Sequence, residues 1–251
     1  MSSGLVFLIT FAFIAMGGAL GMLVHIRLPD RVIADSKEVV RLGAGLMATV
    51  AALVLGLMIA SAKNSYDTQA ANVRQLTANL IFLDELLEQY GPETKEARGM
   101  IRRAAAITIQ RIWQDDASTK ATTTFSASPA AEEFFYTVEM LSPANDLQRS
   151  VKPRILQAGT DLVRTRLLMF VHIDNAIPKP LLIIVILWLT VIFASFTLFV
   201  EPNAVVAIAS LVYALAVSSA LFLIVDMSQP FAGLMKISSE PLQHVLPPLG
   251  S

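Results

Sequence analysis

The chain contains no cysteine, which excludes disulfides, thiolate metal sites and cysteine nucleophiles. Charge is scarce as well: 16% of the residues are Asp, Glu, Lys or Arg, against about a quarter in an ordinary soluble domain. The formal net charge of −1 leaves no basic excess for a nucleic-acid partner. Three histidines, His25, His172 and His244, stand far apart in the chain. The acidic runs Asp84-Glu85 with Glu88, and Asp115-Asp116, have no histidine beside them to complete a metal cage. Gly-rich phosphate loops, nucleophile elbows and H-E-x-x-H are all missing. No catalytic residue, metal site or cofactor is expected, and the chain does not read as an enzyme.

What the chain has instead is apolar length. Hydrophobic residues make up 55% of it, and the mean hydropathy is +0.61. Uncharged runs cover Leu5–Val24, Leu42–Ala62, Pro180–Val200 and Pro202–Val225. About 20 apolar residues at 1.5 Å rise each span a hydrocarbon core of roughly 30 Å. The expected fold is therefore an all-α membrane protein with four transmembrane helices in two hairpins. Residues 1–62 form the first hairpin, with spans at 5–24 and 42–62, and 180–225 form the second, with spans at 180–200 and 203–225. A soluble helical bundle at 63–179 is inserted between them, and 226–251 form a C-terminal tail. The Met-Ser-Ser-Gly start has no basic n-region, and the first run outlasts a signal peptide's core of roughly 7–15 residues. A retained first helix is expected.

Turn residues support the hairpins. Glu201-Pro202-Asn203 allows only an antiparallel return, Pro178 and Pro180 mark entry to the third span, and Leu28-Pro29-Asp30 breaks the first hairpin within His25–Arg41. Ala44, Ala48, Ala52, Gly56 and Ala60 recur every four residues in the second span, a stripe that permits close helix packing or lines a pore. Gly17 and Gly21 in the first span, and Ser210, Ala214 and Ser218 in the fourth, repeat the pattern. The third span is bulky nearly all round. The second helix is therefore expected at the packing centre, with the third facing lipid. No Asp, Glu, Lys, Arg or His lies within a span, which disfavours a proton-driven transporter; a path of small, hydroxyl and apolar groups gated by dewetting stays open.

In the insert, Val73, Leu76, Leu80, Leu83, Leu87 and Tyr90 trace an apolar seam on a helix that continues the second span and ends at Gly91-Pro92. A second helix is expected over 93–113, with Arg98, Arg102 and Arg103 as a solvated basic face. Ala121–Pro129 reads as a loop, Pro129 opens another helix, and Ser142–Asp146 opens a last one. That helix carries Val151, Ile155, Ala158, Leu162, Thr165 and Met169, and Pro153 is expected to delay its start. The seams suit an intramolecular core before a coiled coil between subunits, although an oligomer would use the same residues.

Asp226 ends the fourth span and begins Asp226-x-x-x-Pro230-Phe231-x-Gly233, followed by Glu240-Pro241-Leu242. With Ala62 and Tyr66, Leu141-Ser142-Pro143 with Gln148, Arg164/Arg166, Ile177-Pro178 with Trp188, and Phe222-Leu223-Ile224, this pattern resembles the bestrophin-like family of bacterial and plant integral membrane proteins. Family members often carry a Glu in the helix after the second span; Asn72 and Gln75 occupy that region here, so no acidic site is carried over. The resemblance implies a homo-oligomer with a pore on its axis, by analogy with the ring-shaped bestrophin anion channels.

The expected function is therefore a homo-oligomeric, channel-like or pore-like membrane protein whose partners are the lipid bilayer, further copies of itself and small ions. The competing expectation is a membrane-anchored interaction or sensor module whose insert binds a partner. Basic residues near the membrane (Lys63, Arg74, Arg166, Lys179 and Lys236 against Arg27, Arg31, Lys37 and Arg41) place the insert on the cytoplasmic side by a narrow margin. A bacterial cell membrane is the expected location.

Overall fold

A computed structural model describes residues 2–114, 129–171 and 178–245. The loop expected at 121–128 lies outside them, as do His172 and Ile177. Among the described residues eight α-helices follow in order: α1 (Ser3–Arg27), α2 (Asp30–Tyr90), α3 (Lys95–Ile109), α4 (Pro129–Glu139), α5 (Asp146–Val171), α6 (Lys179–Leu198), α7 (Ala204–Met227) and α8 (Glu240–Val245). A 3-10 turn, Pro92–Thr94, precedes α3, and a π turn, Gln110–Gln114, follows it. The described residues contain no strand. Among the described residues four helices are long and apolar enough to cross a membrane: α1, the Ser36–Tyr90 part of α2, α6 and α7.

The first connection is far shorter than the expected loop. α1 ends at Arg27 and α2 begins at Asp30, so only Leu28 and Pro29 separate them. Leu28 is extended, as a residue before proline should be. The charged stretch from Asp30 to Arg41 is helical, because Arg, Lys and Glu are good helix formers. Charge marks where a span ends; it does not mark where a helix ends.

Two compact units divide the chain. The first holds Met1–Tyr66, Asn175–Gln229 and Gly233–Met235. Within it α1 packs against both α6 and α7, which touch each other far less. Three contacts repeat every four residues with one offset along α1 and α6. A Cβ at Gly17 would lie 2.6 Å from the Thr190 carbonyl oxygen, one at Gly21 would collide with the Ala194 carbonyl, and His25 Nδ1 donates to the Leu198 carbonyl at 2.8 Å. The two helices therefore run parallel, and the missing side chains let their backbones meet. Thr197 Oγ1 donates to the Gly18 carbonyl at 2.9 Å, tightening the seam. α7 runs antiparallel to α1: a Cβ at Gly18 would lie 2.8 Å from Ser210 Oγ near the start of α7, and Ser3 bonds to Asp226 at its end. Asn203 caps α7 by accepting from Val206 N at 2.8 Å.

The core of this unit comprises Val6 and Ile14, Met58 and Ala62, Leu182, Val185 and Leu189, and Ala214, Leu221, Ile224 and Val225. Ala214 and Ser218 are buried as the small-residue pattern anticipates. The expected ranking of helices is corrected. α1 is the packing centre, with 33% of its apolar window buried, and α2 is the least buried at 17%. α6 faces outward on one side only: Leu182, Val185, Leu189, Ile192 and Thr197 are buried, while Ile183, Leu187 and Phe196 are exposed. Small residues permit close approach but do not choose the partner, and α1's glycines are the ones that meet a neighbouring backbone.

The second unit holds Asp67–Asp174, Pro230–Ala232 and Lys236–Ser251. Every residue of the expected α2 seam is buried, as are Val151, Ile155, Ala158, Thr165 and Met169 of α5. Gly91 ends α2 at φ +129, a left-handed conformation that other residues adopt only with strain. Gln148 closes this end: Nε2 donates to the Tyr90 carbonyl and Oε1 accepts from Ala144 N, at 2.8 and 2.7 Å. Pro153 does not delay α5, which starts at Asp146 and continues through it. Arg98 is not on a solvated face. Its Nε and Nη2 donate to the two oxygens of Asp84 at 2.7 and 2.8 Å, with both side chains only 12% exposed. Hydrogen bonding to Asp84 raises the Arg98 pKa above its ordinary value.

Three outcomes are expected in thermal unfolding of the detergent-solubilised chain. Gly21→Leu should destabilise it by about 1–3 kcal/mol through overpacking at α6. Gly56→Ala, where a Cβ meets nothing within 4 Å, should be neutral or stabilising. Removing one charge of the buried pair, as in Arg98→Met, should destabilise the chain by about 3–5 kcal/mol.

Candidate functional site

The fourth span ends on a carboxylate that is wholly removed from solvent: Asp226, in the last turn of α7, is 0% exposed. A charge in that position needs several donors to offset its lost hydration. Ser3 Oγ donates to Oδ1 at 2.8 Å, and the backbone amides of Leu234 and Met235 donate to Oδ2 at 3.0 and 2.8 Å. Each charge-assisted bond of this kind is worth about 1.5–3 kcal/mol. The chain turns at once, with Gln229 N donating to the Asp226 carbonyl at 3.0 Å, and comes back onto the carboxylate eight residues later.

Gly233 is required twice over. Its φ is +90, in the region that favours glycine. A Cβ there would also collide with the Asp226 carboxylate. The spacing Asp226-x-x-x-x-x-x-Gly233 is thus the spacing of a closed loop, and the carboxylate is its clamp. All three contacts come from hydrogen-bond donors, which is the chemistry of a backbone clamp.

The other two motif residues belong to the second unit. Pro230 presents its carbonyl to Ile237 N at 2.7 Å. Phe231, 8% exposed, meets the Trp113 ring edge-on at a centroid distance of 5.3 Å. Trp113 lies in the π turn after α3 and donates from Nε1 to the Ile237 carbonyl at 2.7 Å. Ser3 and Trp113 are partners of the motif that the sequence pattern does not reveal. Ser3 gives no signal, since a serine beside a helix start reads first as a cap. Trp113 could have been suspected as a large aromatic with a polar N–H placed at a helix end.

The small-residue stripe of α2 is only partly used within the chain. Ala44 is buried and Ala48 half-buried, whereas Ala52, Gly56 and Ala60 are exposed. The side of α2 that does pack carries Ala51, Met58 and Ala62. The exposed stripe has the shape that allows a second backbone to approach closely.

The second unit also holds a partly open apolar pocket of about 70 Å³, lined among others by Leu76, Leu83, Met100, Phe134, Leu162 and Leu242. Leu242 comes from the Glu240-Pro241-Leu242 segment and is 2% exposed. His25 is engaged at Leu198, and His244 lies exposed 3.6 Å from Glu240. Among the described residues no group of three or more His, Asp or Glu is placed to hold a metal ion.

A model of the Bestrophin-like domain matches residues 11–242. No curated protein and no solved structure matches the chain.

Asp226→Asn turns an acceptor-only group into one whose NH2 faces N–H donors. It should destabilise the chain by about 1–3 kcal/mol and speed proteolytic cleavage between Ser228 and Ser239. Gly233→Ala should do the same. Unchanged cleavage in both variants would contradict the clamp.

Proposed function

The chain belongs to the Bestrophin-like family and is a multi-pass membrane protein, and from that premise we propose that it is a homo-oligomeric, ion-conducting channel or pore-like protein. The observation that carries this reading is the face of α2 left open by the protomer. α2 has the least buried apolar window of the four spans, yet it exposes Ala52, Gly56 and Ala60 in register. Lipid tails gain nothing from such a stripe, whereas an adjoining helix does. Copies arranged around an axis would bring these faces together. The path between them would be narrow, uncharged and lined by small and apolar groups, suited to gating by dewetting.

In this reading α1 with α2, and α6 with α7, are two membrane hairpins, and residues 63–179 form a cytoplasmic helical insert at a bacterial cell membrane. No catalytic step and no cofactor is assigned. The competing reading makes the spans an anchor and the insert a partner-binding or sensing module; the apolar pocket lined in part by Leu242 favours it. Native mass measurement combined with ion flux from vesicles separates the two. The channel reading expects a multiple of the 27.2 kDa chain together with flux. Ala52→Leu should weaken both, through an interface penalty of about 1–3 kcal/mol. A monomer without flux, whose insert captures a defined partner, supports the anchor.

A further inference from the structure

We propose that the Asp226 clamp holds Leu234 and Met235 against the bilayer as an interfacial anchor, whose partner is the boundary between headgroups and acyl chains of the phospholipid. Leu234 is 82% exposed and Met235 40%, whereas Phe231 and Ile237 on either side are each 8% exposed. The segment buries its other large apolar side chains and turns these two outward. Their depth is fixed by chemistry already described, because the same two amides donate to Asp226 Oδ2 at 3.0 and 2.8 Å. The loop backbone at 234 and 235 therefore sits level with the last turn of α7.

That turn lies at the edge of the hydrocarbon. α7 has 24 residues, or about 36 Å at 1.5 Å per residue, against a core of roughly 30 Å. Its end reaches into the interfacial layer, where short apolar side chains bury themselves between headgroups and tails. Gly233 at φ +90 reverses the chain immediately before Leu234, so the tip is shaped by the residue that makes room for the carboxylate. The lipid contact continues the surface that α7 already presents to the bilayer. It rests on the multi-pass reading alone and is independent of ion conduction.

The absence of cysteine makes the test direct. Leu234→Cys in the full chain, carrying a nitroxide, is reconstituted into vesicles of phosphatidylcholine and phosphatidylglycerol. Its collision rates with oxygen and with a water-soluble nickel chelate are then measured. The anchor predicts that oxygen exceeds nickel at 234, with the opposite ratio for a label at the exposed Glu96. Met235→Cys should follow Leu234→Cys, and adding Asp226→Asn should shift the ratio at 234 towards nickel. A label at 234 as open to nickel as the one at 96 overturns the proposal. So does a label shielded from both agents, which would place protein over the tip.

Discussion

Helices in a bilayer gain little by hiding apolar side chains from one another, because the lipid is equally apolar; they associate where their backbones can come close. That constraint organises the membrane unit around α1. Its glycines remove the side chains that would hold α6 away, and the carbonyls of Thr190, Ala194 and Leu198 arrive at successive four-residue steps opposite Gly17, Gly21 and His25. One offset, kept over two turns, is what two parallel helices in fixed register produce. Thr197 adds a hydrogen bond across the seam. α1 is also held at its start, where Ser3 donates to Asp226.

The Asp226 clamp is the electrostatic counterpart of that seam. A carboxylate buried at the end of a span would be unfavourable by itself, and the chain satisfies it with a hydroxyl from α1 and two amides from the segment that follows α7. The same bonds fix the course of that segment, which is why Gly233 cannot bear a side chain. The second unit uses a comparable device away from the spans, where the Arg98 guanidinium spans both oxygens of Asp84.

Much of this was legible in the sequence, and the failures have physical causes. The four spans follow from uncharged runs, and the α2 and α5 seams from their spacing, because burial and periodicity are properties of one segment at a time. Charge alone misplaces the start of α2, because residues 30–41 are charged and helical at once. The ranking of the spans failed because a small-residue stripe records that close approach is possible and leaves the partner open. The spacing of Arg98 to Arg102 and Arg103 describes only a face of α3, whereas its partner Asp84 sits on α2. The Asp226 motif was visible as a resemblance, but its meaning needed the return of the chain onto its own carboxylate.

The seam that closes α1 against α6 and α7 leaves one set of small residues open, on α2. The central claim is that other copies of the chain cover it. Single cysteines at Ala52, Gly56 or Ala60, in a chain that otherwise has none, test this directly by oxidative cross-linking in native membranes, since a disulfide requires Cα atoms about 4.4–6.8 Å apart. The account predicts cross-linked dimers at these positions and none from a cysteine at the exposed Leu211 of α7. Monomers at all three α2 positions would contradict it.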